Sequence, residues 1–370
     1  MTPTPPTGGA TARVPFLDLS RRTRALAPRL EPRLRAVLES GRLLDGPELE
    51  VFEAEWAAAT ARTHAVGVAS GTDALRLTLL ALGAGLGGEV IVPAFTAIPT
   101  VAAVCATGAT PVPVDVYGET ATLDGEAAAA ALTGQTVAAI VVHLYGRPAE
   151  VPELGIPIIE DAAHAHGLAP SPRAVAAAHS FYPTKNLAGV ADGGAVVTDD
   201  PELAATIRRL RAHGRAPDGR HVVPATNSRM SELEAASLRL AIDDLEAGNT
   251  RRRQIAAAYR QAAPWLGWQL DHPDHVHHLC VARVAERGAF RAQLPFESAV
   301  HYPRAVTDEP AYARFERQPT PQARAWAASC ISLPCYPELR DEELELIAAV
   351  LARGEGRRDD AGAMLKAAPG

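Results

Sequence analysis

Lysine occurs only twice in this chain of 370 residues, at Lys185 and at Lys366, and every other basic side chain is arginine. A Schiff base requires an amine that can lose its proton. Lysine does so when desolvated or placed near other cations, whereas arginine effectively never does. Lys185, in SFYPTKNLAG, therefore marks a place where arginine would fail chemically, although composition alone leaves a chance surface lysine open. About two dozen residues earlier, Asp161 ends the apolar run IPIIED. A carboxylate at the end of a buried strand is costly unless donors or a cation meet it, and a capping Asp beside a solvated loop is the plainer alternative. A third feature is Ser70-Gly71-Thr72-Asp73, after the run HAVGVA. Small hydroxyl residues and glycine at a helix start leave backbone N–H groups free for an anion such as phosphate, though an ordinary N-cap reads the same way. Together the three meet the needs of pyridoxal phosphate (PLP): a phosphate cradle, a carboxylate for the pyridine nitrogen, and an amine.

Groups so far apart in sequence converge only if the elements bearing them share an edge. From His64 to Gly167, strand-length apolar runs alternate with helical patterns: HAVGVAS, GTDALRLTLLAL, EVIVPAF, TVAAVCATG, TPVPVDV, EAAAAALTG, VAAIVVHLYG and IPIIED. This rhythm predicts an α/β fold, with a mostly parallel central sheet flanked by helices. Ligands of such sheets sit at the carboxyl ends of the strands, and the Ser70–Asp73 turn and Asp161 each follow such a strand. From about Pro201 the pattern turns to amphipathic helices, and HHLCVARV and ESAVHYP read as two further strands of a smaller C-terminal α/β domain. The expected division is a tail at 1–12, a large domain at 13–250, a small domain at 251–352 and a second tail at 353–370. Both tails are expected to be disordered.

The net charge of −7 carries no basic stripe, which argues against nucleic acid and anionic membrane as partners. Residues 90–114 lack charge, but four prolines and mixed patterning fit a buried strand–helix–strand better than a membrane span. Four cysteines without metal-ligand spacing read as reduced thiols of a cytoplasmic protein. No metal is expected: His164 and His166 lack further ligands at comparable reach, and HPDHVHH reads as loop and strand.

Ordered blocks from VPFLDL to SLPCYPEL, among them GPELEVFEAEWA, HAVGVASGTDAL, IEDAAHAHG, SFYPTKNL, NSRMSELEAASL and HYP, resemble the DegT/StrS-type sugar aminotransferases of PLP fold-type I. The resemblance implies that Lys185 forms the Schiff base with PLP and relays protons, while Asp161 pairs with the pyridinium nitrogen. It places His164 beside the cofactor's phenolic oxygen, and Gly71, Thr72 and Ser180 at its phosphate. Asn227 would reach the phosphate of the neighbouring subunit in a homodimer with a shared site. Arg229, His301 and Tyr302 are candidates for substrate contact, an ordinary salt bridge being equally open for Arg229. Where the family commonly has an aromatic that stacks on the ring, this chain has Ala97, so no stacking residue is assigned.

The implied reaction converts a keto group of a nucleotide-linked deoxysugar, dTDP in first place, to an amine in amino-sugar biosynthesis, with L-glutamate as donor. A keto-cyclitol aminotransferase shares the chemistry. A dehydratase branch with His at the lysine position is disfavoured by Lys185. The alternative of another class is a non-catalytic regulatory or structural dimer on the same fold.

Overall fold

The computed structural model describes residues 13–354, so both expected tails lie outside the described residues apart from Arg353 and Gly354. Two helices lead, α1 (Leu19–Ser40) and α2 (Pro47–Ala59), followed by β1 (His64–Val68), α3 (Gly71–Ala81), β2 (Glu89–Pro93), α4 (Ile98–Cys105) and β3 (Thr110–Val114). Next come α5 (Gly125–Ala130), β4 (Thr136–Val142), β5 (Ile158–Asp161), β6 (Ala176–Ser180), β7 (Gly194–Thr198), α6 (Pro201–Leu210) and α7 (Glu232–Ala262). The described residues close with β8 (Gly267–Trp268), β9 (Cys280–Arg283), α8 (Arg287–Ala292), α9 (Pro321–Ser329), β10 (Cys330–Leu333) and α10 (Asp341–Ala352). The uncharged stretch at 90–114 is the buried β2–α4–β3 unit, and no described helix is long and apolar enough to cross a membrane.

The large sheet has seven strands in the order β1-β7-β6-β5-β4-β2-β3. Pairing is parallel from β3 through β6 and antiparallel on both sides of β7, so β7 alone runs in reverse. Alternate residues feed opposite faces. Val66, Val68, Ala176, Ala178 and Val196 join one core with α3 and α4, while Ala65, Ala177, Ala195 and Val197 join another with α2 and α7. Burial on both faces explains why these strands are apolar throughout.

A three-stranded antiparallel sheet, β10-β9-β8, builds the second unit. HHLCVARV supplies β9, but ESAVHYP forms only the single bridge Ala299↔Ser332. That bridge lies at β10's edge, and beyond it the chain turns away: Ala305 and Val306 pack in the core of the large sheet. In the opposite direction, Val14 joins the small-sheet core, where its carbonyl accepts from Glu297 N. Residue 250 lies inside α7, which runs unbroken between the two cores.

The reversed β7 brings its first residue against the turn that follows β1. A Cβ on Gly194 would stand 2.3 Å from the carbonyl carbon and oxygen of Ser70, both backbone atoms unable to give way. Gly194→Ala should therefore lower stability by about 1–3 kcal/mol, the usual range for overpacking. Gly134→Ala, where a Cβ meets nothing within 4 Å, should change it little. Thermal unfolding of the two variants measures the contrast.

Candidate active site

Because six strands share one direction, their carboxyl ends gather the loops that carry the chemistry. After β1, Ser70 caps α3, its hydroxyl accepting from Asp73 N at 3.1 Å. The N–H groups of Gly71 and Thr72 have no acceptor among the described residues and point from a helix N-terminus, an arrangement suited to a phosphate. Glycine is required at 71, since a Cβ there would come within 2.5 Å of Ser180 Cβ. That contact fixes the Ser70–Asp73 turn against the end of β6.

Asp161 ends β5 and is buried, 6 % exposed. Its Oδ2 accepts from Thr100 Oγ1 at 2.7 Å and its Oδ1 from Ala163 N at 3.1 Å. Since a carboxylate only accepts, Thr100 is the donor, and its own oxygen can then accept from Thr96 Oγ1 at 3.2 Å. Each carboxylate oxygen keeps acceptor capacity for a further N–H.

Lys185 lies in the 181–193 loop between β6 and β7, held from both sides. Arg22 of α1 donates to the carbonyls of Pro183 (3.3 Å) and Ala188. Glu234 Oε2 accepts from Val190 N and Ala191 N at 3.1 and 2.9 Å. Gly189 touches Glu234 so closely that a Cβ there would overlap its carboxylate. Burial raises the Glu234 carboxyl to about 7, against the pull of the two N–H groups it accepts from. Burial also lowers the Lys185 amine to about 8, while the Asp161 charge opposes the shift.

His164 is buried, and its Nδ1 accepts from Tyr145 N at 3.2 Å, so the ring proton sits on Nε2. Burial and then the Lys185 charge push its pKa well below the ordinary value, leaving a neutral donor.

A cavity of about 370 Å³ is lined by Gly71, Thr72, Asp161, His164, Ser180 and Lys185, together with Ser70, Thr96, Ala97, Thr100, Tyr182 and Asp192. Ala97 stands in its wall as expected, and the aromatic rings of the lining belong to Tyr182 and His164. His301 and Tyr302 line a neighbouring cavity of about 340 Å³ that shares Lys185 and His164. Asn227 and Arg229 line neither cavity; Asn227 is exposed, and Arg229 reaches Asp45 at 3.4 Å and the Asn227 side chain at 3.1 Å. Thr100, Arg22 and Glu234 were not legible in the sequence. Thr100 lies 61 residues from the carboxylate it touches, and no local pattern signals the contact.

An amine poised in this way is of use where it must condense with a carbonyl, and its neighbours match a phosphorylated pyridine aldehyde. The cavity residues fit PLP in their donor set: free N–H groups for phosphate, a buried carboxylate for the ring nitrogen, and a histidine N–H for the phenolic oxygen. The class is a PLP-dependent transferase. A model of the DegT/DnrJ/EryC1/StrS aminotransferase family matches residues 26–352, and the chain belongs to that family. It is 44% identical to the dTDP-3-amino-3,4,6-trideoxy-alpha-D-glucose transaminase of Streptomyces venezuelae, over 92% of this chain and 96% of that protein. It is 42% identical to the erythromycin biosynthesis sensory transduction protein EryC1 of Saccharopolyspora erythraea, over 92% and 99%. Among solved structures, S. venezuelae DesV in complex with a ketimine intermediate superposes with a TM-score of 0.90 at 42% identity, covering 94% of this chain and all of that one.

Two outcomes follow from this geometry. Uptake of PLP by the apoenzyme, followed by absorbance, should accelerate as pH rises through about 8, where the Lys185 amine becomes neutral; an ordinary lysine would keep accelerating toward 10.5. Thr100→Val keeps the shape but removes a hydrogen bond to a charged group. It should weaken PLP binding about tenfold or more, measured by titrating apoenzyme fluorescence.

Proposed function

We propose that this protein transfers an amino group from L-glutamate to the C3 keto carbon of a dTDP-linked deoxyhexose, in amino-sugar biosynthesis in the cytoplasm. The observation that carries the reading is Lys185, its amine brought near neutrality beside a buried Asp161. The position and nucleotide rest on relatives. The transaminase of S. venezuelae and that of Aneurinibacillus thermoaerophilus, the latter 36% identical, are both named for dTDP-linked 3-amino sugars. Two further relatives, 37% and 32% identical, are named as aminotransferases of UDP-linked 3-keto sugars.

In this reading Gly71, Thr72 and Ser180 hold the cofactor's phosphate, and Asp161 keeps its ring nitrogen protonated. His164 donates Nε2–H to the phenolic oxygen. Bound PLP supplies an electron sink for the bonds at the reacting carbon. Lys185 Nζ takes the proton from the donor's Cα in one half-reaction and delivers a proton to the sugar carbon in the other. The enzyme works as a homodimer: Asn227 reaches the phosphate of the partner's cofactor, and Arg229 meets an anionic substrate group. Exposed Leu43, Leu44, Val190, Val222 and Val223, which flank the Asn227 segment and the lysine loop, support such an interface.

The test is a panel of dTDP-ketosugars and keto-cyclitols with glutamate, scored by product mass and by 2-oxoglutarate release. A dTDP-linked 3-ketosugar should be aminated fastest. Preferential use of a keto-cyclitol would overturn the sugar reading, and absence of turnover with every acceptor would favour a binding or regulatory protein. Lys185→Arg should lower turnover by at least about a thousandfold, since arginine forms no Schiff base. For the shared site, co-expressed Lys185→Ala and Asn227→Ala chains should regain activity in the mixed dimer that neither variant shows alone.

A further inference from the structure

Two asparagine side chains and two backbone carbonyls between the lysine loop and the small sheet fix the tautomer of a second histidine. Asn249 Nδ2 donates to the backbone carbonyl of His166 at 2.9 Å, so the Asn249 Oδ1 must face away from that carbonyl. That oxygen accepts from Asn186 Nδ2 at 2.8 Å, and the same Asn186 nitrogen donates to the carbonyl of Val276 at 3.0 Å. The orientation of both amides is thus set by backbone carbonyls, which can only accept. Asn186 Oδ1 is left toward His278 Nδ1, 3.1 Å away, and an oxygen there requires Nδ1 to carry the proton. The Nε2 of His278 is consequently a bare acceptor.

The His278 ring packs against that of His164, with centroids 4.2 Å apart and planes tilted by 34°, and both are buried. The two rings hold opposite tautomers: His164 is a donor at Nε2 and His278 an acceptor at Nε2. Burial first, and then the charge on neighbouring groups, keeps both neutral. His278 lines the cavity of about 340 Å³ that also holds Phe16, Lys185, His301 and Tyr302. In that cavity His301 is not fixed in the same way, because its Nδ1 meets Ser332 Oγ at 2.9 Å and a hydroxyl can donate or accept.

We infer that His278 Nε2 is a specificity-determining acceptor for the ketosugar hydroxyl on C2, next to the C3 keto group. The inference rests on the ketosugar reading above. A bare acceptor in the cavity that contains Lys185 selects a donor close to the reacting carbon. A sugar hydroxyl supplies one. The carboxylates of glutamate are acceptors and its amino nitrogen is the one transferred to the cofactor, so His278 serves the sugar half-reaction and not the donor half-reaction.

The experiment uses the PLP-loaded enzyme, glutamate, a dTDP-3-ketosugar and its 2-deoxy analogue. His278→Phe should lower kcat/KM for the ketosugar about tenfold, the scale of one lost hydrogen bond. The rate of the glutamate half-reaction, followed from the cofactor absorbance without acceptor, should change less than about threefold, because glutamate carboxylates make no bond to this nitrogen. The unaltered enzyme should disfavour the 2-deoxy analogue by a similar factor, and the variant should show no further loss. Equal losses in both half-reactions, or undiminished discrimination by the variant, would overturn the inference. Histidine ¹⁵N NMR of the apoprotein should show a protonated Nδ1 and an unprotonated Nε2 at His278; a protonated Nε2 would overturn it without any substitution, even if the variant folds poorly. Absence of ketosugar turnover in the unaltered enzyme, with the glutamate half-reaction intact, would overturn the substrate reading and the sugar hydroxyl with it.

Discussion

Keeping an amine partly out of water beside a carboxylate is the constraint on which this protein's architecture depends. Desolvation favours the neutral amine and the Asp161 charge favours ammonium, and the balance brings Lys185 to about 8. Such a balance holds only if neither group moves. Asp161 is fixed by Thr100 and by Ala163 N. The lysine loop has no regular structure of its own and is fixed from outside, by Arg22 on one flank and Glu234 on the other. A loop gains precision here through side chains borrowed from α1 and α7.

The sheet makes this convergence possible. Parallel strands deliver Asp161 and Ser180 to one edge, and β1 delivers the Ser70–Asp73 turn to the same edge. The single reversed strand, β7, returns the chain directly after the lysine loop without a crossover helix. That return is why the loop can be short, and why Gly71, Ser180 and Gly194 must pack backbone to backbone. Two of the three are glycine because their neighbours leave no room for a Cβ.

Much of this was legible in the sequence because it is local. Apolar runs of strand length, each followed by a polar or small residue, place Ser70 and Asp161 at strand ends from the sequence alone, whereas the strand that ends at Ser180 was not read from it. The uncharged segment at 90–114 was recognisable as strand–helix–strand from its prolines. What escaped were contacts between residues distant in sequence. Thr100 looks like any helix threonine until it meets Asp161. Arg22 and Glu234 look like ordinary charges on amphipathic helices, and the role of His278 depends on two asparagines and two carbonyls from separate segments. ESAVHYP has strand composition, yet only Ala299 makes a β-bridge because the chain leaves for the other core.

With only two lysines in the chain, one measurement addresses the central claim with little ambiguity. PLP-loaded protein, reduced with borohydride and mapped by peptide mass spectrometry, should carry the cofactor on Lys185 in the SFYPTKNLAG segment, with Lys366 unmodified. Cofactor fixed to Lys366 or the chain's amino terminus instead, or no fixed cofactor at all, would contradict the account.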